Sequence, residues 1–433
     1  LVGSEMCIRD SMYHILMSAY ACEPGAGSEY GVGWMVPTTM ARKYPEQQFY
    51  VLTRSRCREK IEKVLASDPT LANLHFLFYD IPSWMFYKNE MKSNWGEQIN
   101  YLLWQLLSRR YVRKMHKTLH FDLFHHLTFN QYRTPSPGFW LDIPFVMGPI
   151  GGAECIAPAF WQDLEANTIK KEKIRREGKD LKIFSWFNNR RNNKKVILCS
   201  SDENLQRLQP FGHHSDFLEM PAIAFDVKDF ALLPNQKTSE DTFEMVYAGK
   251  AWDWKGIKIF LNAVKLALGD SKQGEAERTW IVKLIGIRFE SEQKQVMGWV
   301  EEFGLQDHVT IIPFIERKEL LKLMKGCSLS VYPAFRDSGS MSVLEACAIG
   351  CPTVCFDAGG QSVFPNDILL KVHVEDTYDE TLERFASSLK WGYEHPIELK
   401  TLGEKAKSWV EANLTWEKRV ENFYQIYRKL LES

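Results

Sequence analysis

The chain has 433 residues, more than one hydrophobic core accommodates and a length that suits two domains of about 200 residues each. A formal net charge of -1 and a pI near 6.9 exclude a general nucleic-acid binder, which needs a broad basic footprint. Nine cysteines form no CxxC pair and no Cys/His cluster at zinc-finger spacing, so they read as reduced, mostly buried thiols.

The first eleven residues, LVGSEMCIRDS, carry no helical or strand period and resemble a translated sequencing-adapter read-through, so the native chain is expected to start at Met12. The apolar stretch YHILMSAYAC that follows is too short to span a bilayer and lacks a basic flank or cleavage-like site. A cytoplasmic location is expected. Apolar, β-branched runs then alternate with helical patterns, which predicts α/β architecture with parallel, doubly wound sheets. The first half offers the strands YHILMSAY, FYVLTRS, LHFLFYD, DLFHHLT, PFVMGP and VILCSS; the second offers FEMVYAG, WIVKLIG, VTIIPF, LSVYPA and TVCFD. Two Rossmann-like halves are expected, 12–222 and 223–412, separated by the polar stretch LLPNQKTSEDT around 232–242.

Open parallel sheets bind ligands beyond the C-terminal ends of their strands, so those loops should hold the chemistry. After the first strand, EPGAGSEYGVGW places Gly25, Gly27 and Gly31 where backbone could approach a ligand, with a helix opening at Ser28 or Glu29. The pattern misses the dinucleotide fingerprint, and the second strand ends in VLTRSR without an acid, which disfavours NAD; Arg54 and Arg56 leave an NADP phosphate contact open. The fourth strand ends with His125 and His126, whose side chains must point to opposite faces, so at most one faces the crevice, where Thr128, Asn130 and Arg133 lie beside it; one core histidine and one satisfied by a neighbouring carbonyl is the alternative. MGPIGGAE permits a tight turn at Gly148, Gly151 and Gly152, with a plain turn and a ligand contact both open.

In the second half, Lys250 and Lys255 bracket AGKAWDWKG ahead of an amphipathic helix, where cations would meet an anionic group. RDSGS forms a turn after LSVYPAF, and MSVLEACAIG forms a helix stopped by Gly350 and Pro352. Ser340, Met341 and Ser342 then sit at a helix N-terminus whose free amides and dipole suit a phosphate. Glu345, read as a first-turn residue, is placed to reach ribose hydroxyls, and Asp337 to project toward a sugar.

These residues resemble the retaining GT-B glycosyltransferases of family 4, which use nucleotide sugars. GKAWDWKG is similar to the family's G-R-x4-K-G with Lys250 in place of arginine, LIGIR to its glycine-ended strand, and DSGSMSVLE to its E-x7-E with Asp337 in place of the first glutamate. GAGSE, FDLFHH and TWEKRVENFYQIY resemble its acceptor-side glycine loop, active-site histidine region and last helix, the last over 413–433 and crossing back to the first domain. The resemblance implies a GT-B fold with two Rossmann-like domains facing across a cleft. It implies that His126, Lys250, Lys255 and Asp337 act in catalysis. The donor would be lined by Gly27, Gly249, Lys250, Lys255, Gly286, Asp337, Ser338, Gly339, Ser340, Met341, Ser342, Val343 and Glu345, and the acceptor by Ser28, Glu29, His125, His126 and Arg133. The nucleoside-diphosphate sugar is a co-substrate; no cofactor, metal or nucleic acid is implied.

The acceptor is expected to be a glycan or polyprenol-linked sugar in surface polysaccharide biosynthesis. Residues 169–195 hold eleven Lys and Arg against three acids, a local net of +8, with Ile183, Phe184, Trp186 and Phe187 interleaved. That pattern predicts contact with an anionic membrane surface, a solvated helical insertion being the alternative. A non-catalytic nucleotide-sugar-binding protein and a GT-B phosphorylase or synthase acting on soluble sugars remain open.

Overall fold

The computed structural model describes residues 12–85, 94–191, 193–231, 241–269 and 278–432. The expected leader 1–11 and residues 232–240 of the polar stretch lie outside the described residues. Thirteen described strands form two wholly parallel sheets. The first contains β1 (His14–Ser18), β2 (Gln48–Thr53), β3 (Leu74–Phe78), β4 (Leu123–His126), β5 (Phe145–Ile150), β6 (Lys195–Cys199) and β7 (Asp216–Glu219), in the order 3-2-1-4-5-6-7. The second contains β8 (Thr242–Ala248), β9 (Thr279–Ile285), β10 (Val309–Ile312), β11 (Leu329–Tyr332), β12 (Thr353–Phe356) and β13 (Leu370–Val372), in the order 10-9-8-11-12-13.

The helices of the first half are α1 (Ser28–Lys43), α2 (Arg58–Ser67), α3 (Asn94–Leu119), α4 (Ala166–Glu177), α5 (Leu181–Asn188) and α6 (Asp202–Leu208). Then follow α7 (Val227–Ala231), α8 (Ile257–Leu268), α9 (Glu290–Phe303), α10 (Arg317–Gly326), α11 (Met341–Ile349), α12 (Tyr378–Glu394), α13 (Pro396–Asn413) and α14 (Trp416–Glu432). Strands covered on both faces must be apolar on both, and Ile15, Leu16 and Met17 of β1 are accordingly fully buried in succession.

Each sheet reverses its strand order once, between β1 and β4 in the first and between β8 and β11 in the second. Such a reversal splays the loops after the two strands and opens a crevice between them. Both crevices are where the sequence places its candidate residues.

The chain crosses between halves side by side. Phe225 N–H donates to Leu414 O at 3.0 Å and Trp416 N–H to Phe225 O at 3.2 Å, while the buried Arg419 guanidinium caps Ile223 O. Beyond this crossing α14 packs on α1, and Trp416, Val420, Phe423 and Tyr427 share a core with Trp34, Val36 and Met40. A further crossing was not visible in the sequence. After β5, residues 153–165 run as a strap into the second half, where Ile156, Phe160 and Leu164 join the core of α8 and β8–β12. Phe160 stacks on Phe335 at 4.0 Å and 10°.

Candidate active site

In the second half, three loops converge at the β8/β11 crevice. Gly286, at φ +98°, lets the loop after β9 lie against the loop after β8; a Cβ there would fall 2.8 Å from Gly249 O. Ser342 Oγ donates to Ala248 O at 3.2 Å, fastening the first turn of α11 to the end of β8. The ion pair between Lys255 and Asp337 spans the crevice, and Tyr332, at the end of β11, joins it: Lys255 Nζ donates to Tyr332 Oη at 3.0 Å, and the Tyr332 hydroxyl donates to Asp337.

Burial by itself would push the Asp337 carboxyl up. The Lys255 charge and hydrogen bond, the Tyr332 hydroxyl and the Gly339 amide outweigh it and hold the group down at about 2. Asp337 is therefore a carboxylate at any working pH. Its Oδ1 also accepts from Gly339 N–H at 2.9 Å and Ser340 N–H at 3.3 Å. Where the sequence has Asp337 projecting from its loop toward a sugar, the structure has one of its oxygens on Lys255 and Tyr332 and the other capping the turn before α11.

Three further expectations change. Glu345 is the fifth residue of α11, one turn further in than expected, and is buried with its Oε1 on Arg317 Nε at 2.7 Å. The two acids of the D-x7-E spacing thus hold separate cations. Ser340 caps α11 with backbone at φ +44° and sends its hydroxyl to Gln361 Oε1, so its amide is not free for a ligand, and Val343 N–H turns to Ser340 O. Met341 and Ser342, as the first helical residues, present amides that helix geometry leaves without intrahelical acceptors. Lys250 lies outside the Lys255 cluster, its ammonium 4.4 Å from the Trp252 ring centre.

In the first half, α1 begins at Ser28 with Gly27 as its N-cap, and Glu29 Oε2 accepts from Phe129 N–H at 2.9 Å across the β1/β4 crevice. Glu29 is solvent-exposed, and the protein crowded around it pushes its carboxyl upward against the pull of the Phe129 amide. Arg133 is held by Asp180 and lies over the Tyr132 ring beside Gly152. Arg54 is occupied within the fold by Tyr20 and Tyr30, which removes it as an NADP contact.

Both histidines are interior, which corrects their assignment to the cleft. They point to opposite faces of β4, as alternation requires, but each face is covered. His125 lies between Tyr427 Oη and Gly148 O; His126 lies between Tyr101 Oη at 3.1 Å and Ser136 Oγ at 3.0 Å. Because the Tyr101 hydroxyl donates to Phe129 O at 2.7 Å, it accepts from His126 Nε2–H, and Ser136 then donates to Nδ1. His126 is thereby linked through Tyr101 to the Phe129 loop.

Between the two crevices the halves meet at a polar contact. Gly152 N–H is shared between Glu154 Oε2 at 2.8 Å and Ser338 Oγ at 3.1 Å, and a Cβ on Gly151 would fall 2.4 Å from Ser338 Oγ. Glu154, buried and held by Asn204, fixes this turn; like Tyr332 and Tyr101, it was not singled out in the sequence.

Residues 230–409 match the family model described as glycosyl transferases group 1. D-inositol 3-phosphate glycosyltransferase of Paenarthrobacter aurescens is 26% identical over 192 residues, which cover 40% of this chain and 46% of that protein. The same-named protein of Streptomyces griseus is 25% identical over 203 residues, covering 45% and 42%. The chain thus spans less than half the length of the curated relatives it matches. Solved structures align over nearly everything: sucrose-phosphate synthase of Thermosynechococcus elongatus has TM-score 0.62 at 15% identity, covering 97% of this chain and 99% of that one. Anabaena HepE in complex with UDP and glucose has TM-score 0.57 at 13% identity over 96% and 100%, and the lipopolysaccharide-biosynthesis glycosyltransferase WaaG has 0.58 at 14% over 95% and 99%. The fold is GT-B. In GT-B terms, the two crevices just described are the facing walls of one interdomain cleft, joined at Gly152 and Ser338.

Proposed function

We propose that this chain is a retaining family 4 glycosyltransferase that moves a sugar from a nucleoside diphosphate to a glycan or lipid-linked acceptor in surface polysaccharide biosynthesis. The observation that carries the reading is the Lys255–Asp337–Tyr332 cluster at the β8/β11 crevice, beside the opening turn of α11 and opposite the Glu29–Phe129 loops. The family-model match over 230–409 and the UDP and glucose bound by HepE support a nucleotide-sugar donor in this half.

On this reading Lys255 and the Met341 and Ser342 amides receive the diphosphate, with Lys250 swinging from Trp252 to join them. Asp337, released from part of its present bonding, takes hydroxyls of the transferred sugar, and Glu345 takes the ribose when Arg317 yields. Departure of the nucleotide concentrates negative charge on the bridging phosphate oxygen. Donors already aimed at that oxygen need no reorganisation as the charge develops, an effect worth several kcal/mol. The acceptor hydroxyl enters from the Glu29 side on the same face as the leaving phosphate, which takes its proton; the sugar–phosphate bond breaks as the new glycosidic bond forms. His126 and Tyr101 hold the acceptor loop and exchange no proton with substrate.

A thermal-shift panel of nucleoside diphosphates and their sugars tests the donor site. A ligand at a hundred times its Kd should stabilise the fold by about 2.7 kcal/mol. Asp337→Asn should then reduce kcat/KM for transfer about a hundredfold, consistent with loss of a charged hydrogen-bond acceptor. Activity should persist in EDTA. A panel without any stabilising nucleotide, or full transfer by the Asn variant, would overturn the assignment.

A further inference from the structure

The strap and α4 deliver a buried carboxylate to the donor side of the cleft. Glu172 is 1% exposed on the inner face of α4. Its Oε2 accepts from Ile156 N–H at 3.1 Å, and its Oε1 lies 2.9 Å from Arg336 Nη1 and 3.5 Å from Arg175 Nε. One carboxylate therefore joins the strap, the basic helix and the residue immediately before Asp337.

A largely buried guanidinium is stable only where a counter-charge awaits it, so Glu172 fixes where the Arg336 side chain goes. Consecutive Cα atoms are about 3.8 Å apart, so anchoring Arg336 leaves the start of the Asp337 turn little freedom. The far side of that turn is pinned separately, by Gly360 N–H on Asp337 O at 2.6 Å and by Ser338 Oγ on Gly152. Asp337 then faces Lys255 because its turn is held from both ends, and at each end a hold comes from the other half of the chain, Glu172 at the start and Gly152 on the far side.

We propose that Glu172 is a positioning residue for the donor site: through Arg336 it sets the orientation of the Asp337 turn, without touching donor or acceptor itself. The proposal rests on the donor reading above for its functional consequence, but not for its structural one.

Hydrogen exchange on the full chain tests the structural consequence without any ligand. In Glu172→Gln, peptides spanning 333–341 should exchange about tenfold faster, at the Gly339 and Ser340 amides above all, while the rest of the second half is unchanged. Glu172→Asp, which keeps the charge, should recover part of the protection. Titration with UDP and UDP-glucose reads the functional consequence: Glu172→Gln should lower the UDP-glucose to UDP affinity ratio about tenfold and leave UDP binding within about twofold, because Asp337 is assigned to the sugar and not to the diphosphate. Unchanged exchange at 333–341, or a rise spread evenly over the second half, overturns the proposal. If Glu172→Gln does not fold, Arg336→Lys gives the same exchange readout, and protection there equal to wild type overturns it equally. Wild-type protein that binds neither nucleotide would count against UDP-glucose as the donor and leave the exchange result to decide the role of Glu172.

Discussion

His125 and His126 carry a consequence for stability that their lack of contact with the cleft does not remove. Burial drives both rings toward neutrality, to about 4 for His125 against the pull of the Gly148 carbonyl, and to about 3 for His126 with His125 adding to the effect. Below the ordinary histidine value of 6.5 the unfolded chain takes up protons that the folded chain refuses. Stability therefore falls as pH drops from about 6.5 toward 4, each ring contributing up to about 1.4 kcal/mol per pH unit. Urea midpoints at pH 7 and pH 5 should show this loss, and His126→Asn should make the difference smaller; an identical difference in the variant would contradict it. At this scale the sequence was informative about residue types and less so about their partners. Lys255 and Asp337 were legible because their spacing in two loops follows the strands that bound them. Tyr332 was not, since the last residue of an apolar strand reads as core, and the Arg317 partner of Glu345 lies on a helix that no local pattern connects to it.

Helices α4 and α5 show how the same charge count reads differently once folded. Of the cations in 169–195, Arg175 and Arg176 donate to the strap carbonyls Glu154 O and Ile156 O, Arg191 pairs with Asp142, and Lys195 is buried. The surface is accordingly less basic than the local net charge implies. What remains outward on α5 is compact: Lys182, Ile183 and Trp186 lie on one face, the last two 49% and 61% exposed, and Arg190 covers the Trp186 ring at 5.4 Å. Phe184 and Phe187 turn inward, Phe187 against Phe139 and Trp140. An apolar pair ringed by cations suits the boundary of an anionic bilayer. Flotation with phosphatidylglycerol vesicles should retain wild-type protein and lose Trp186→Ser combined with Lys182→Glu, with no binding to phosphatidylcholine alone; equal binding of both proteins removes the membrane reading. Strands divide along similar lines. Central strands such as β1 and β8 read as apolar runs because helices cover both faces, whereas β7 and β13 are short edges with little apolar signal in Asp216–Glu219 and Leu370–Val372.

Two crossings run in opposite directions through the molecule, and together they make its halves depend on each other. Helix α14 follows the second sheet in sequence yet completes the core of the first, with Tyr427 reaching His125 on β4. The strap belongs in sequence to the first half yet fills the core of the second, where Phe160 is fully buried between Phe335 and Phe356. Polar contacts repeat the pattern along its length: Tyr378 donates to Asp163 at 2.8 Å, and Glu165 N–H to Asp253 Oδ2 at 2.9 Å, just ahead of Lys255. Opening the second half thus exposes strap residues anchored in the first, and unfolding the first releases the strap. The strap was not legible in the sequence because Ile156, Phe160 and Leu164 sit in a stretch without strand or amphipathic period, and only the opposing core gives them a place to go. Removing the Phe160 ring should cost about 3–5 kcal/mol through lost burial and the cavity it leaves. That loss falls mainly on the second half, so the effect on cooperativity is more diagnostic than its size. Native-state hydrogen exchange in urea should give wild-type peptides from β1–β6 and β8–β12 a shared opening midpoint, whereas Phe160→Ala should lower the β8–β12 midpoint well below that of β1–β6. If both midpoints fall together in the variant, α14 and the paired crossing at Phe225 suffice to hold the halves as one unit, and the strap serves to place Glu172 without coupling the two cores.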